Sequence, residues 1–134
     1  MYRKIRIESR VSNLRIVENV IDEVINTIGI TEENYGKILV SSLEAVKNAI
    51  LHGNQLVPEK FVDIEIGHKS KHLIVKVTDE GSGFRYDILP DPTIPENIEA
   101  LSGRGVFLMS RLADKVKYSK RGNTVTMIFK NILP

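Results

Sequence analysis

Three polar residues spaced by four, Glu44, Asn48 and His52, form the pattern in this sequence that most directly suggests chemistry. Residues four apart lie on the same face of an α-helix, so a helix here would align all three in one polar stripe. A carboxylate one turn before a carboxamide pairs a proton acceptor with an oxygen ligand of the kind that Mg²⁺ prefers. The alternative is an ordinary amphipathic helix, whose apolar side would carry Leu39, Val46, Ala49 and Ile50.

A second candidate site is the glycine-rich turn Asp79-Glu80-Gly81-Ser82-Gly83, which follows a predicted strand. Gly81 and Gly83 allow a sharp turn and let a flat ligand approach without meeting a Cβ. An ionised Asp79 can accept a hydrogen bond from an exocyclic amine such as that of adenine. The same Asp-x-Gly-x-Gly pattern is also common in hairpins and calcium loops, so by itself it identifies no ligand.

The third candidate is the loop Ser102-Gly103-Arg104-Gly105, which opens a short predicted helix. Unpaired amides and the positive end of a helix dipole suit phosphate oxygens, and Arg104 can add charge-assisted hydrogen bonds. The loop matches neither the P-loop nor the dinucleotide fingerprint. A loop that merely caps a helix with glycines is the alternative.

The elements that must position these residues follow from the hydrophobic pattern. Alternation predicts strands over residues 2–9, 61–67, 73–78, 115–119 and 124–130. A first helix is expected after a cap at Ser12 or Asn13, with Gly29 as its stop, and a second from a cap near Thr31 to Gly53. A long irregular segment over 85–101 precedes a short helix over 106–113, and loops of that length in small domains are usually functional or mobile.

The bulk properties favour one compact domain. The chain has 134 residues, 42% of them hydrophobic, and its 19 Lys and Arg against 17 Asp and Glu are mostly dispersed, which argues against nucleic acid. There is no cysteine, which excludes disulfides and thiolate metal sites. No segment has the pattern of a signal peptide or the length of a membrane span, so a soluble cytoplasmic protein is expected. His68 and His72 flank a turn but have no third ligand nearby, so exposed hairpin residues are favoured over a metal site.

Taken together, the three candidate sites resemble those of a known family. The ordered set Glu-x-x-x-Asn-Ala-x-x-His-Gly, strand–Asp-x-Gly-x-Gly-Phe, long lid and Gly-Arg-Gly-Val resembles the ATP-binding fold shared by gyrase, heat-shock chaperones, sensor histidine kinases and mismatch-repair ATPases. Within that superfamily, the sequence looks most like the bacterial anti-sigma factor serine/threonine kinases. The resemblance covers nearly the whole chain, including the lid piece 91–97 and the segment 102–109.

The resemblance implies a fold and a set of roles. The fold would be a two-layer α/β sandwich, the Bergerat ATP-binding fold, with a mixed, mainly antiparallel sheet carrying three helices on one face. Residues 1–134 would form a single histidine kinase-like ATPase domain. Glu44 would be the general base, Asn48 the Mg²⁺ ligand, and Asp79 the acceptor of the adenine amino group. The remaining nucleotide contacts would come from His52, Gly81, Gly83, Gly103, Arg104, Gly105, Val106 and Thr124, with His52 the weakest candidate.

The resemblance also implies partners. The expected function is an ATP-dependent serine/threonine kinase that phosphorylates an anti-anti-sigma antagonist and sequesters a sigma factor, in a partner-switching system. A homodimer would be usual for the family, with no direct contact to nucleic acid or membrane. The alternatives are a non-catalytic ATP-binding module, and the catalytic part of a histidine kinase, for which a dimerising helical hairpin bearing a phosphoacceptor histidine is missing. The retained Glu44 favours the kinase.

Overall fold

A computed structural model describes residues 1–81, 109 and 111–134. It contains five strands, which are β1 (Tyr2–Glu8), β2 (Phe61–Lys69), β3 (His72–Thr78), β4 (Lys115–Tyr118) and β5 (Thr124–Phe129). Two α-helices, α1 (Leu14–Ile28) and α2 (Glu32–Asn48), lie between β1 and β2, with a short 3₁₀ turn (Val11–Asn13) before α1 and a π turn (Ala49–Gly53) after α2. The ends of all five strands agree with the predicted ends to within two residues, because alternating apolar residues mark the strands clearly.

The five strands form one sheet in the order β1-β2-β3-β5-β4. Every pairing among these strands is antiparallel, so the mainly antiparallel sheet is confirmed and no parallel pair occurs in the described part of the chain. Alternate residues point to one buried face, as Val62, Ile64 and Ile66 do in β2. The helices supply the second layer: α1 packs against α2, and α2 lies against β3.

The sequence explains where the helices begin and end. Gly29 ends α1 in the left-handed conformation, with φ of 82°, as predicted. The Thr31 side chain caps α2 by accepting from the Asn34 amide at 3.4 Å, and Glu32 and Glu33 occupy its first turn. Asn13 stands at the start of α1 without capping it, because its side-chain amide donates to the Glu8 carbonyl instead.

The expected third helix lies largely outside the described residues. Met109, Arg111 and Leu112 are helical, the Met109 side chain is buried, and the Ala113 amide donates to the Met109 carbonyl at 2.9 Å. Neither of the two longer helices in the described ranges combines the length and hydrophobicity that a transmembrane span requires.

Candidate functional site

Glu44 and Asn48 stand on the last two turns of α2, one helical turn apart as the spacing predicted. Both side chains are half-buried, since their neighbours Ala45 and Val46 face the core. Lys47 Nζ lies 3.7 Å from Glu44 Oε1, and the Glu44 side chain is 23% exposed. The carboxylate is therefore partly accessible and lies near a cation, with Asn48 one helical turn further along α2.

The helical segment ends at Gly53 as predicted, but its last turn is not α-helical, which the spacing did not predict. After Asn48 the chain widens into a π turn over Ala49–Gly53, in which the Asn54 amide donates to the Ala49 carbonyl five residues back, at 2.8 Å. His52 lies within this wider turn, and its side chain is exposed.

Gly53 is where the helix end meets the Asp79 turn. A Cβ added to Gly53 would lie 2.2 Å from Asp79 Oδ2 and 2.3 Å from Asp79 Cγ. A Cβ on Gly81 would lie 2.1 Å from the Gly53 carbonyl oxygen. Both glycines are required by space, because any side chain would collide with the opposing segment. The contact brings together two motifs that are separated by more than twenty residues in sequence.

The Asp79 carboxylate is held by its own turn. The Gly81 amide donates to Asp79 Oδ1 at 2.7 Å, and the Asp79 amide donates to the Asn123 carbonyl at 2.9 Å. Burial raises the pKa of Asp79, while the Gly81 hydrogen bond and the charges of Arg121 and Lys60 act in the opposite direction. Among the residues that the structure describes, none donates a hydrogen bond to Asp79 Oδ2, which lies against Gly53.

Thr124 lies beside this turn. It pairs with Thr78 across β3 and β5, and its hydroxyl donates to Thr78 Oγ1 at 3.2 Å. Thr78 directly precedes Asp79, so the structure brings Thr124 to the edge of the site. Its role toward a ligand stays a prediction.

Several supporting residues were missed by sequence reasoning. Asn123 holds the Asp79 turn with its side chain as well, donating to the Asp79 carbonyl at 3.1 Å, and Arg121 donates to the Gly81 carbonyl at 3.1 Å. Asn54 is fully buried and bonds the Glu80 amide. Their sequence context is that of ordinary turn residues. Only the position of Asn54, next to the His52-Gly53 pair, gave a signal.

The remaining predicted site residues lie outside the described part of the chain. These are Gly83, Gly103, Arg104, Gly105 and Val106, together with the lid over 85–101.

His68 and His72 lie on opposite faces of the sheet. His68 pairs with the buried Leu73 and shares its face of the sheet, whereas His72 pairs with the exposed Lys69 on the other face. Both histidines are half-buried, although exposed residues were expected. Across the described ranges, no group of three or more His, Cys, Asp or Glu side chains is placed to hold a metal ion.

Comparisons with known proteins bear on the family and the fold of the chain. The model of the family described as "Histidine kinase-like ATPase domain" matches residues 7–129. The chain is 24% identical over 137 residues to the serine-protein kinase RsbW of Oceanobacillus iheyensis, a match that covers 98% of this chain and 87% of that protein.

A solved structure shares the fold. The crystal structure of the RsbU and RsbW domains of Rv1364c from Mycobacterium tuberculosis matches with a TM-score of 0.68 and 17% identity. That match covers 100% of this chain and 33% of the longer one. The resemblance seen in the sequence and the α/β fold expected from it are both confirmed.

Proposed function

The chain belongs to the histidine kinase-like ATPase domain family, and from that premise we propose that it is an ATP-dependent serine/threonine protein kinase. We further propose that it acts as an anti-sigma regulatory factor, which phosphorylates an anti-anti-sigma antagonist and sequesters a sigma factor. The observation that carries the proposal is the contact between Gly53 and Asp79. It joins the helix bearing Glu44 and Asn48 to the Asp-x-Gly turn.

The donor set fits Mg-ATP. Asp79 offers a carboxylate oxygen to the adenine amino group, and Gly81 keeps the turn narrow beside it. The Asn48 amide oxygen suits Mg²⁺, which in nucleotide sites is held by few protein ligands together with phosphate oxygens and water. Bound there, Mg²⁺ would neutralise charge on the phosphates. Gly103, Arg104, Gly105 and Val106 are the proposed phosphate contacts.

Glu44 is the proposed general base. Its carboxylate stands one helical turn from Asn48 and is partly open to solvent. It would accept the proton of the attacking serine or threonine hydroxyl of a protein substrate. Phosphoryl transfer depends more on positioning and charge neutralisation than on covalent chemistry, so one base near the terminal phosphate suffices.

The proposal is tested by capturing partners from the native host with the full chain and mapping phosphosites. One capture uses Mg-ATP and the other Mg-ADP, with Glu44→Gln as the matched inactive variant. The proposal predicts a phosphoserine or phosphothreonine on a small partner, produced by the wild type with Mg-ATP and missing with Glu44→Gln. Nucleotide-dependent capture without phosphorylation would contradict the kinase and leave a non-catalytic ATP-binding module.

A further inference from the structure

Asn54 is a fully buried amide that uses both of its ends. Its Oδ1 accepts from the Glu80 backbone amide at 2.8 Å. Its Nδ2 donates to Ser9 Oγ at 2.8 Å and to the Phe61 carbonyl at 2.9 Å. Buried side-chain amides are rare, and one satisfied at three points fixes the segments that it joins.

These three bonds join the Asp79 turn to the sheet. Glu80 is the middle residue of the turn that holds the Asp79 carboxylate, and Phe61 is the first residue of β2. Ser9 follows β1 and donates in turn to the Lys60 carbonyl at 2.7 Å. The Glu80 carboxylate also accepts from the Phe61 amide. The turn is thus anchored to the start of β2 through the Glu80 side chain and, separately, through Asn54.

The hydrogen bond from the Glu80 amide to Asn54 also affects the position of the Asp79 carboxylate. Asn54 directly follows Gly53, whose backbone packs against the Asp79 carboxylate. Asn54 therefore fixes both neighbours of that carboxylate, the helix end on one side and the backbone of the turn on the other. Because the Gly81 amide bonds Asp79 Oδ1, a shift of the Glu80 peptide would rotate the carboxylate with it.

We propose that Asn54 is a positioning residue for nucleotide recognition, which aims Asp79 at the adenine amino group through the Glu80 amide. This inference rests on the proposed function, since it assumes that Asp79 receives adenine. It assigns to Asn54 a role in base selectivity, beyond its contribution to the fold. Asn54 itself touches neither the base nor the phosphates in this role.

The chain offers a matched control. Asn54→Ala removes the acceptor of the Glu80 amide, whereas Ser9→Ala removes a hydrogen bond at the other end of the same buried network and leaves Glu80 bonded. Both variants lose stability, because each leaves a buried polar group without a partner. Only Asn54→Ala is expected to change the aim of Asp79.

The readout is the ratio of affinities for ATP and inosine triphosphate, which carries a carbonyl oxygen where adenine has its amino group. Calorimetry with Mg²⁺ on the folded 134-residue chain gives both affinities. We expect the wild type and Ser9→Ala to share one ratio, and Asn54→Ala to reduce it by about tenfold, the size of one lost hydrogen bond. An unchanged ratio in Asn54→Ala, or an equal loss in Ser9→Ala, would overturn the inference.

Asn54→Asp covers the case in which Asn54→Ala fails to fold. It has nearly the same volume, keeps an acceptor for the Glu80 amide and, in the protonated form that burial favours, donates one hydrogen bond to Ser9 or Phe61 in place of two. The inference predicts a retained ratio for this variant, and a lost ratio would contradict it. A wild type that binds no ATP would instead overturn the proposed function, so the two failures are distinguishable.

Discussion

At Asp79, the fold and the proposed function favour opposite protonation states of the carboxyl group. The fold packs it against Gly53, and burial raises its pKa because the charged form loses solvation. Adenine recognition, however, needs an acceptor, which is best supplied by the ionised form. Buried groups that are costly to the fold are typical of functional sites.

The pH dependence of stability tests this conflict. A carboxyl whose pKa is raised on folding contributes stability below its unfolded pKa, and that contribution is lost as pH rises through the folded pKa. Asp79→Asn does not titrate and can still accept from the Gly81 amide. We expect it to be more stable than the wild type at neutral pH, with the difference shrinking as the solution is acidified. Denaturant unfolding of both proteins across this range measures it, and a wild type that is more stable at neutral pH would contradict it.

Glu44 can be separated from nucleotide binding. Glu44→Gln keeps the size and one acceptor oxygen of the side chain, but the NH₂ group that replaces the other oxygen cannot accept the substrate proton. We predict that Mg-ATP affinity stays within about twofold, while phosphotransfer falls by about 10²–10⁴-fold, the usual contribution of a general base. Single-turnover transfer of labelled phosphate to the partner measures the rate. Unchanged turnover would remove Glu44 from the mechanism.

At the scale of elements, the site depends on the close approach of the π turn and the Asp79 turn. Gly53→Ala would place a methyl group 2.2 Å from Asp79 Oδ2, so one segment must move. We expect a loss of about 1–3 kcal/mol in the free energy of unfolding, as for other overpacked sites, and weaker ATP binding.

Gly36→Ala is the control for that prediction. Gly36 lies within α2, and a Cβ there meets nothing within 4 Å. Because glycine weakens a helix interior, the free energy of unfolding of this variant should rise by about 0.5–1 kcal/mol, and ATP binding should be unchanged. Urea unfolding measures the stability of both variants, and calorimetry measures their affinity for ATP. A tolerated Gly53→Ala would show that the two segments do not touch.

The contrast between these glycines shows how far the sequence can be read. Gly29 was predicted correctly because a left-handed helix end is a local requirement. The strands were predictable for the same reason, since alternation at Val62, Ile64 and Ile66 is a local pattern. Gly53 was interpreted as a helix stop, but its real constraint is Asp79, which is remote in sequence. The π turn and the hydrogen bonds of Asn54 could not be predicted either, because both depend on tertiary packing.

At the scale of the whole molecule, the candidate site lies at one end of the sheet and a second anchoring point lies at the other. Near the C-terminus the Ile132 side chain is fully buried. Its amide donates to the Lys71 carbonyl at 3.0 Å, and its carbonyl accepts from the Thr31 amide at 3.2 Å. This residue therefore ties the β2–β3 hairpin to the start of α2.

A substitution at Ile132 should lower stability without changing nucleotide binding. Ile132→Ala removes a fully buried side chain, for which we expect a loss of about 2–5 kcal/mol. Because the hairpin is at the far end of β3 from Asp79, Mg-ATP affinity of the folded protein should be unchanged. Thermal unfolding with and without Mg-ATP measures both quantities. A matching loss of affinity would mean that the two ends of the sheet are coupled.

The most direct test of the central claim is calorimetric titration of ATP, with and without Mg²⁺, into the wild type and Asp79→Asn. In Asp79→Asn the Gly81 amide would still donate to the side-chain oxygen, so the asparagine NH₂ group would face the adenine amino group. Two hydrogen-bond donors would then oppose each other. We predict saturable binding to the wild type that weakens without Mg²⁺, and at least about tenfold weaker binding to a folded Asp79→Asn. Absence of binding to the folded wild type, or equal affinity in the two proteins, would contradict the account.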